Sequence, residues 1–433
     1  MKIAIIGTGI SGNLVGRLLC QEHDIVVYEA DRTVGGHTRT LDVRALGKDW
    51  RVDTGFMVYN DRTYPHFCRL LQLLGVSGRD ADMSLSVRCA RTGLEYQGSS
   101  LNGLFAQRRN LVRSAFLGMV RDILRFNRDA PALLESDLGD KPLSAVLAKA
   151  GYGSWFVDKY LVPMAAAIWS CPPGRLLDFP AHFLLGFLRN HGLLQLHGRP
   201  QWKTVSGSAR RYVDRLTAPY RDRIKTNCPI ESVHRHEDHV VVRSRNAPAE
   251  IFDKVVLACH ADQALAMLQD ADEEERQVLQ AFPYQRNVAL LHTDTTILPQ
   301  RRRAWASWNY HISASDSVPV AVTYDLSRLQ GLDTPSPLLL TLNPGDRIKP
   351  ALVLDKIAFH HPVYTTQSLQ AQDRLTRING RRRTYFCGAY RGYGFHEDGV
   401  NSALDVTKHF GLGLDQWKVA FTKASFTTSA SSR

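Results

Sequence analysis

Gly7, Gly9 and Gly12 stand where a short apolar run at residues 2–6 gives way to a helical pattern at 14–20. A G-x-G-x-x-G placed between a strand and a helix suits one task. The first glycine permits a tight turn, and the second lets a pyrophosphate approach the backbone. The third lets the helix pack on the strand, and the helix N-terminus faces the phosphates. Glu29 lies 22 residues after Gly7, at the end of a second, β-branched run. A carboxylate there accepts hydrogen bonds from both adenosine ribose hydroxyls and repels a 2′-phosphate, which disfavours NADP. The competing reading is a glycine turn in an α/β sheet with no ligand.

Other elements must hold these residues in place. Residues 1–30 read as strand, turn, helix, strand. From 64 to 200 strand signals are sparse and helical spacing dominates, as at 67–74 and 104–126. Strands return at 240–242, 251–257, 288–292, 318–324, 338–342 and 384–387, and a last helix is expected at 400–410. The tail, 422–433, is rich in Ser, Thr and Ala and is expected to be disordered. This order predicts an α/β protein. A Rossmann-like domain would be built from 1–60, 204–275 and 381–421, with an α+β substrate domain from 61–203 and 276–380.

Composition narrows the class. The chain has 433 residues, 44% hydrophobic and 22% charged, which excludes a disordered chain, a collagen repeat and a disulfide-stapled miniprotein. No apolar run approaches the roughly 18 residues of a spanning helix; the best, 160–169, contains Pro163. The net charge of +12 favours anionic partners. With no nucleic-acid fingerprint, a phosphorylated cofactor or an anionic membrane is expected rather than nucleic acid. The seven cysteines (Cys20, Cys68, Cys89, Cys171, Cys228, Cys259 and Cys387) form no C-x-x-C. That suits a reducing compartment and gives no metal signal. The apolar N-terminal run is too short for a signal peptide, so a cytoplasmic protein is expected.

Six residues after Glu29 comes Gly35-Gly36, then His37-Thr38-Arg39 and Asp53-Thr54-Gly55-Phe56. The first 56 residues resemble the flavin-dependent amine oxidase and phytoene desaturase superfamily. The resemblance implies a Rossmann-like FAD-binding domain with the cofactor held by Gly7, Gly9, Ser11, Gly12, Glu29, Ala30, Gly35, Gly36, His37, Thr38, Arg39, Gly55 and Phe56. His37 replaces the arginine of many members, and Arg39 is expected to substitute for it. Residues 224–258 resemble the family's central strand pair, which implies an adenine contact from the Ile230 backbone; Pro229 marks an edge strand. Tyr385-Phe386-Cys387-Gly388 and the stretch from Gly394 to Ala403 resemble the segments that approach the flavin, implying contacts from Gly388, Gly394 and Val400. Ala389 stands where many members carry an acid. Glu397 or Asp398 would compensate, or would cap a helix. No cysteine is placed as in the covalently flavinylated monoamine oxidases, so FAD is expected to be non-covalent.

Such a flavin takes a hydride at N5, and the protein orients the substrate carbon. The candidate lining is aromatic. Trp308, Asn309 and Tyr310 would wall a pocket with one hydrogen-bonding point. His292 is either an acid/base group or a packed strand histidine. Tyr390 and Tyr393 flank the C-terminal glycines, where amine oxidases hold their amine between two rings. Those enzymes also place a lysine near N5, and none is evident here. The motifs at 52–59, 202–212, 291–294, 307–310 and 392–403 together resemble a bacterial branch that includes the desaturase of furan fatty acid biosynthesis. That implies desaturation of a methyl-branched unsaturated acyl chain. The alternatives are a flavin amine oxidase and a non-enzymatic flavin-binding membrane adaptor.

Between 101 and 130, Arg108, Arg109, Arg113, Arg121, Arg125 and Arg128 interleave with large apolar residues. This reads either as a basic amphipathic segment on the inner face of a membrane or as a surface helix with its apolar face in the core.

Overall fold

The computed structural model describes residues 1–169, 173–195, 197–245, 247–314 and 321–417. The expected disordered tail, Cys171 and the start of the 318–324 strand lie outside them. Five short strands form a parallel sheet in the order Ile224–Lys225, Asp24–Tyr28, Lys2–Ile6, Lys254–Leu257, Thr384–Phe386. Its strands come from three distant parts of the chain. Continuous apolar runs mark strands covered on both faces, and Ile3, Ile5, Val255, Val256 and Leu257 are fully buried. On one face lie the helices Ile10–Leu19 and His396–Lys408, through Leu14, Leu18, Val400 and Ala403. On the other lie Ala261–Met267 and Thr366–Ile378, through Ala264, Ala371 and Leu375.

A seven-stranded mixed sheet makes the second layer. Its order is Val353–Pro362, Tyr284–His292, Leu339–Leu342, Ala321–Asp325, Trp308–Ile312, Leu85–Cys89, Leu94–Gln97. Leu291, Leu340, Val322, Tyr310 and Val87 form its inner face, packed against Phe116, Met119, Ala166 and Ala167 of the helices Ser114–Glu135 and Val162–Trp169. The protein is therefore a mixed α/β fold with a parallel sheet and a separate, largely antiparallel one.

Three local expectations change. The single strand expected at 251–257 divides at Asp253. Glu250–Phe252 pairs with Val240–Ser244 in a small antiparallel sheet, while Lys254–Leu257 joins the parallel one. Asp253 makes the corner, its carboxylate accepting from Lys2 N at 2.6 Å. The stretch from 64 to 200 contains the hairpin Leu85–Cys89/Leu94–Gln97, which its sequence did not suggest. The helical pattern at 104–126 breaks into Leu101–Leu104, a 3-10 turn at Arg108–Leu111, and Ser114–Glu135. Buried Gln107 explains the break. Its side chain accepts from Glu95 N (3.1 Å) and donates to Gly93 O (2.7 Å), fastening this stretch to the hairpin. The strand after Pro229, Ile230–Arg235, does lie at a sheet edge.

Candidate active site

The glycine turn is built for close approach. Gly7 has φ +106°, and a Cβ there would sit 2.6 Å from Ala258 O; one at Gly12 would sit 2.0 Å from Gly7 O. Both glycines serve packing. Gly9 differs, because a Cβ there would meet no heavy atom within 4 Å. It is the N-cap of Ile10–Leu19, which has neither a side-chain cap nor an acid in its first turn. Its leading N–H groups are thus left without a side-chain cap, an arrangement suited to an anion. The glycine doublet passes directly above: a Cβ on Gly36, φ +56°, would lie 3.1 Å from Gly9 Cα.

Glu29 ties these loops together. Its carboxylate accepts from Thr8 N at 3.0 Å, from Asp31 N at 2.9 Å and from the Thr8 hydroxyl. The Thr8 oxygen accepts in turn from Gly35 N at 3.2 Å. Ala30 follows directly at the strand end, and Cys228 N bonds Glu29 O at 2.8 Å, which brings the chain entering Ile230 beside the acid. Ser11 Oγ donates to Gly399 O at 2.8 Å and joins the two helices that meet here. A cradle that a Cβ would fill, an uncapped helix end and a carboxylate at the second strand fit a dinucleotide diphosphate and ribose. Arg39 adds a buried Nε without a partner among the described residues.

Farther along the cleft, His37 is surrounded by Phe359 (5.4 Å), His361 (5.6 Å) and His260 (5.9 Å). Gly55 is required by His37 O, which a Cβ would approach to 1.9 Å. Phe56 stacks on His396 at 3.6 Å and 12°. His396 Nε2 is bonded to Thr38 Oγ1 (3.0 Å) and to Tyr212 OH (2.9 Å). Burial pushes His260, His361 and His396 down to about 3, so all three imidazoles are neutral at pH 7. His260, Phe359 and His361 escaped the sequence reading. The one local signal was the His360-His361-Pro362 triplet.

At the C-terminal segment, Gly388 N donates to Ser402 Oγ at 3.0 Å, and Val400 is fully buried. Gly394, φ +92°, leaves room for Tyr364 OH, which a Cβ would approach to 2.7 Å. Neither neighbouring acid is free to compensate for Ala389. Glu397 accepts from His66 N (3.0 Å) and Phe67 N (2.9 Å), capping the helix Pro65–Leu73. Asp398 accepts from Phe395 N, the N-cap of its own helix, at 2.9 Å. Burial raises Asp398 to about 7 and Glu397 upward.

The expected substrate residues do not all converge. Strand alternation separates Asn309 from Trp308 and Tyr310. Tyr310 enters the apolar core, and Trp308 stands edge-on to Tyr324 at 4.8 Å. Asn309 faces the other side, bonded to Ala306 N, Ala306 O and Thr323 O. These three therefore do not form one wall. His292 lies on the face of its strand opposite Leu291. It is completely buried, between Thr341 Oγ1 (2.7 Å) and Asp294 N (3.1 Å), which is the packed strand histidine rather than a free acid/base group. Tyr390 packs at 5.0 Å on Phe282 in the core beneath the parallel sheet, so it makes no ring pair with Tyr393. Tyr393 joins a different group. Its ring lies 4.8 Å from Phe183 and 5.4 Å from Phe187, and its carbonyl accepts from Trp169 Nε1 at 3.2 Å. Phe187 stacks on Phe395 at 5.1 Å, and Phe183 packs on Tyr364 at 4.8 Å.

A family model described as flavin containing amine oxidoreductase matches residues 16–358, and the chain belongs to that family. It is an FAD-dependent oxidoreductase. No curated protein matches its sequence. Among solved structures it is similar in fold to a CLA-producing fatty acid isomerase from P. acnes, with 15% identity and a TM-score of 0.66 over 94% of this chain and 98% of that one. It is equally similar to cyclohexylamine oxidase from Brevibacterium oxydans IH-35A, with 16% identity and a TM-score of 0.66 over 95% and 99%.

Proposed function

We propose that this member of the flavin containing amine oxidoreductase family oxidises an acyl chain, desaturating a methyl-branched unsaturated one to a conjugated diene. The observation that carries the reading is the ring cluster of Trp169, Phe183, Phe187, Tyr364, Tyr393 and Phe395. It is continuous with one apolar core, and the carboxylate beside it, Asp398, is already committed to Phe395 N. Such a wall positions a chain by shape and dispersion, which is what loss of hydride from an allylic C–H without a charged anchor requires. Bound FAD would supply the hydride acceptor, its N5, and water would take the proton from the adjacent carbon. Gly9 and the helix N-terminus hold the diphosphate, and Glu29 the ribose. Phe56 and His396 brace the cleft, and Tyr393 and its neighbours orient the chain and exclude water. The neutral imidazoles of His260 and His361, beside a His37 that burial also pushes down, add hydrogen-bonding capacity without adding charge. The similarity to a protein described as a fatty acid isomerase supports an acyl substrate. Amine oxidation is the second reading, favoured by the family's own description and by the similarity to cyclohexylamine oxidase.

Anaerobic mixing separates the two. Methyl-branched unsaturated acyl chains are expected to bleach the flavin band, and simple amines are not. Bleaching by a polyamine alone would overturn the acyl reading. Tyr393→Phe should keep most of the reduction rate, because the ring shapes the wall and the hydroxyl is dispensable. Tyr393→Ala should lose about 100-fold in rate with full FAD content, the cost of a misplaced chain. Colourless Tyr393→Ala would instead give this ring a role in holding the cofactor.

A further inference from the structure

We propose that the surface carried by residues 101–128 docks on an anionic lipid bilayer. Most large apolar side chains of the described residues are covered. Of the seven that are exposed, Leu101, Leu111, Val112, Leu117 and Leu124 fall within this one stretch, with Val112 at 86% and Leu101 at 76%. The helix Ser114–Glu135 already has a complete inner stripe in Phe116, Met119, Phe126 and Ala130, all buried. Its opposite stripe reads Leu117, Arg121, Leu124, Arg128 at helical spacing, and all four are exposed. Those leucines leave about half of their surface in solvent, Leu117 at 42% and Leu124 at 50% exposed.

Charge selects the occupant. Arg108, Arg109, Arg121 and Arg128 are exposed on the same stretch. Arg113 and Arg125 are committed to protein, lying 4.5 Å and 4.1 Å above the rings of Trp155 and Tyr152. Asp122 is buried and accepts from Gly153 N at 2.9 Å, and Asp129 pairs with Arg128 at 2.9 Å, so the net positive charge of the face rests on Arg108, Arg109 and Arg121. A two-fold pairing of identical copies would set arginine against arginine. A nucleic acid would use the arginines and leave the leucines in water. An anionic bilayer accepts both, apolar tips below the headgroups and guanidiniums among the phosphates. No helix among the described residues is long and apolar enough to cross a membrane, so the contact is with the surface. The helix Ser114–Glu135 also packs on Ala181–Asn190, which carries the Phe183 and Phe187 of the aromatic wall. The docking face is thus one helix away from the proposed chain site.

The test is co-sedimentation of the full-length flavoprotein with vesicles of phosphatidylcholine alone, or of phosphatidylcholine with phosphatidylglycerol. Binding is expected with the second kind and should weaken as salt shortens the screening length. Arg121→Gln and Arg128→Gln should each lower partitioning about fivefold, the equivalent of ~1 kcal/mol. Leu117→Ser and Leu124→Ser should each lower it about tenfold through lost apolar burial. All four positions are exposed, so melting temperatures should not move. Equal sedimentation with both vesicles, or leucine variants that bind as well as the parent, would overturn the surface. So would a vesicle-free dimer that the leucine variants dissociate, since a second copy would then be the occupant. None of these readouts needs turnover. Flavin bleaching by acyl chains without vesicle binding would remove the surface and leave the substrate reading standing.

Discussion

Gly9→Val is expected to yield a folded, colourless protein. The two halves of this result have separate causes. A Cβ at Gly9 would meet no heavy atom within 4 Å, and the residue's φ of −63° and ψ of 179° suit any amino acid. The fold should therefore tolerate valine with an unchanged circular dichroism spectrum and melting temperature. The same space is where the helix N-terminus would receive a diphosphate. Losing two hydrogen bonds to charged oxygens, about 1.5–3 kcal/mol each, lowers FAD affinity roughly 100-fold or more. Gly12→Ala is the opposite case. Its methyl would lie 2.0 Å from Gly7 O, so helix and strand must separate, and the melting temperature should fall whether or not flavin is present. The check is flavin absorbance per polypeptide beside a thermal melt of each variant. Gly9→Val carrying full flavin would refute the diphosphate assignment.

The contrast between those glycines shows what a sequence reveals. The turn at residues 7–12 and the strands around it depend on near neighbours, so their pattern is visible in the chain itself. Glu29 is visible for the same reason, as the end of a β-branched run. The hairpin Leu85–Cys89/Leu94–Gln97 is not, because its polar residues are satisfied from afar. Glu95 accepts from Gln300 N at 2.8 Å and Arg301 N at 3.2 Å, and Gln107 closes the turn. The neighbours of His37 arrive from residues 260 and 359–361, which only the His360-His361-Pro362 triplet announces locally. Glu397 looked like a phosphate-side acid because its position beside a glycine motif suggested one. Its partner is a helix 330 positions earlier in the chain, and the unpaired N–H groups of Pro65–Leu73 claim it first. His292 and Asn309 misled for a similar reason. Polar residues in a strand suggest a site, yet here they serve a second buried face of the same sheet.

That second face should make the protein sensitive to acid. Behind the apolar core, His292, Thr341, Thr323 and His311 form a ladder across four strands, with contacts of 2.7, 2.8 and 3.2 Å. Its polarity is fixed at one end. Asp294 N–H donates to His292 Nδ1, so Nε2 carries the proton and donates to Thr341. The arrangement that pairs both hydroxyl hydrogens then has Thr341 donating to Thr323 and Thr323 to His311 Nε2. A proton added at either outer acceptor sets two donors face to face. Burial pushes His292 down to about 4 and His311 to about 3, well below an unfolded histidine near 6.5. A depressed folded value means that the stability is present above pH 6.5 and is lost as pH falls toward 4. Each histidine then removes up to about 1.4 kcal/mol per pH unit. Buried Asp53, raised to about 6, and Asp398, raised to about 7, act in the opposite sense, losing stability as pH rises through those values. The histidine effect is therefore isolated by comparing a variant with its parent in urea unfolding at pH 6 and pH 5. His311→Gln should flatten the dependence by about 1.4 kcal/mol per pH unit. Thr341→Val, which leaves the His292 N–H unpaired, should cost about 1–3 kcal/mol at pH 7.5 with flavin content unchanged. Parallel pH curves for parent and His311→Gln would mean that this ladder tolerates the charged imidazole, and its polarity would have to be assigned anew.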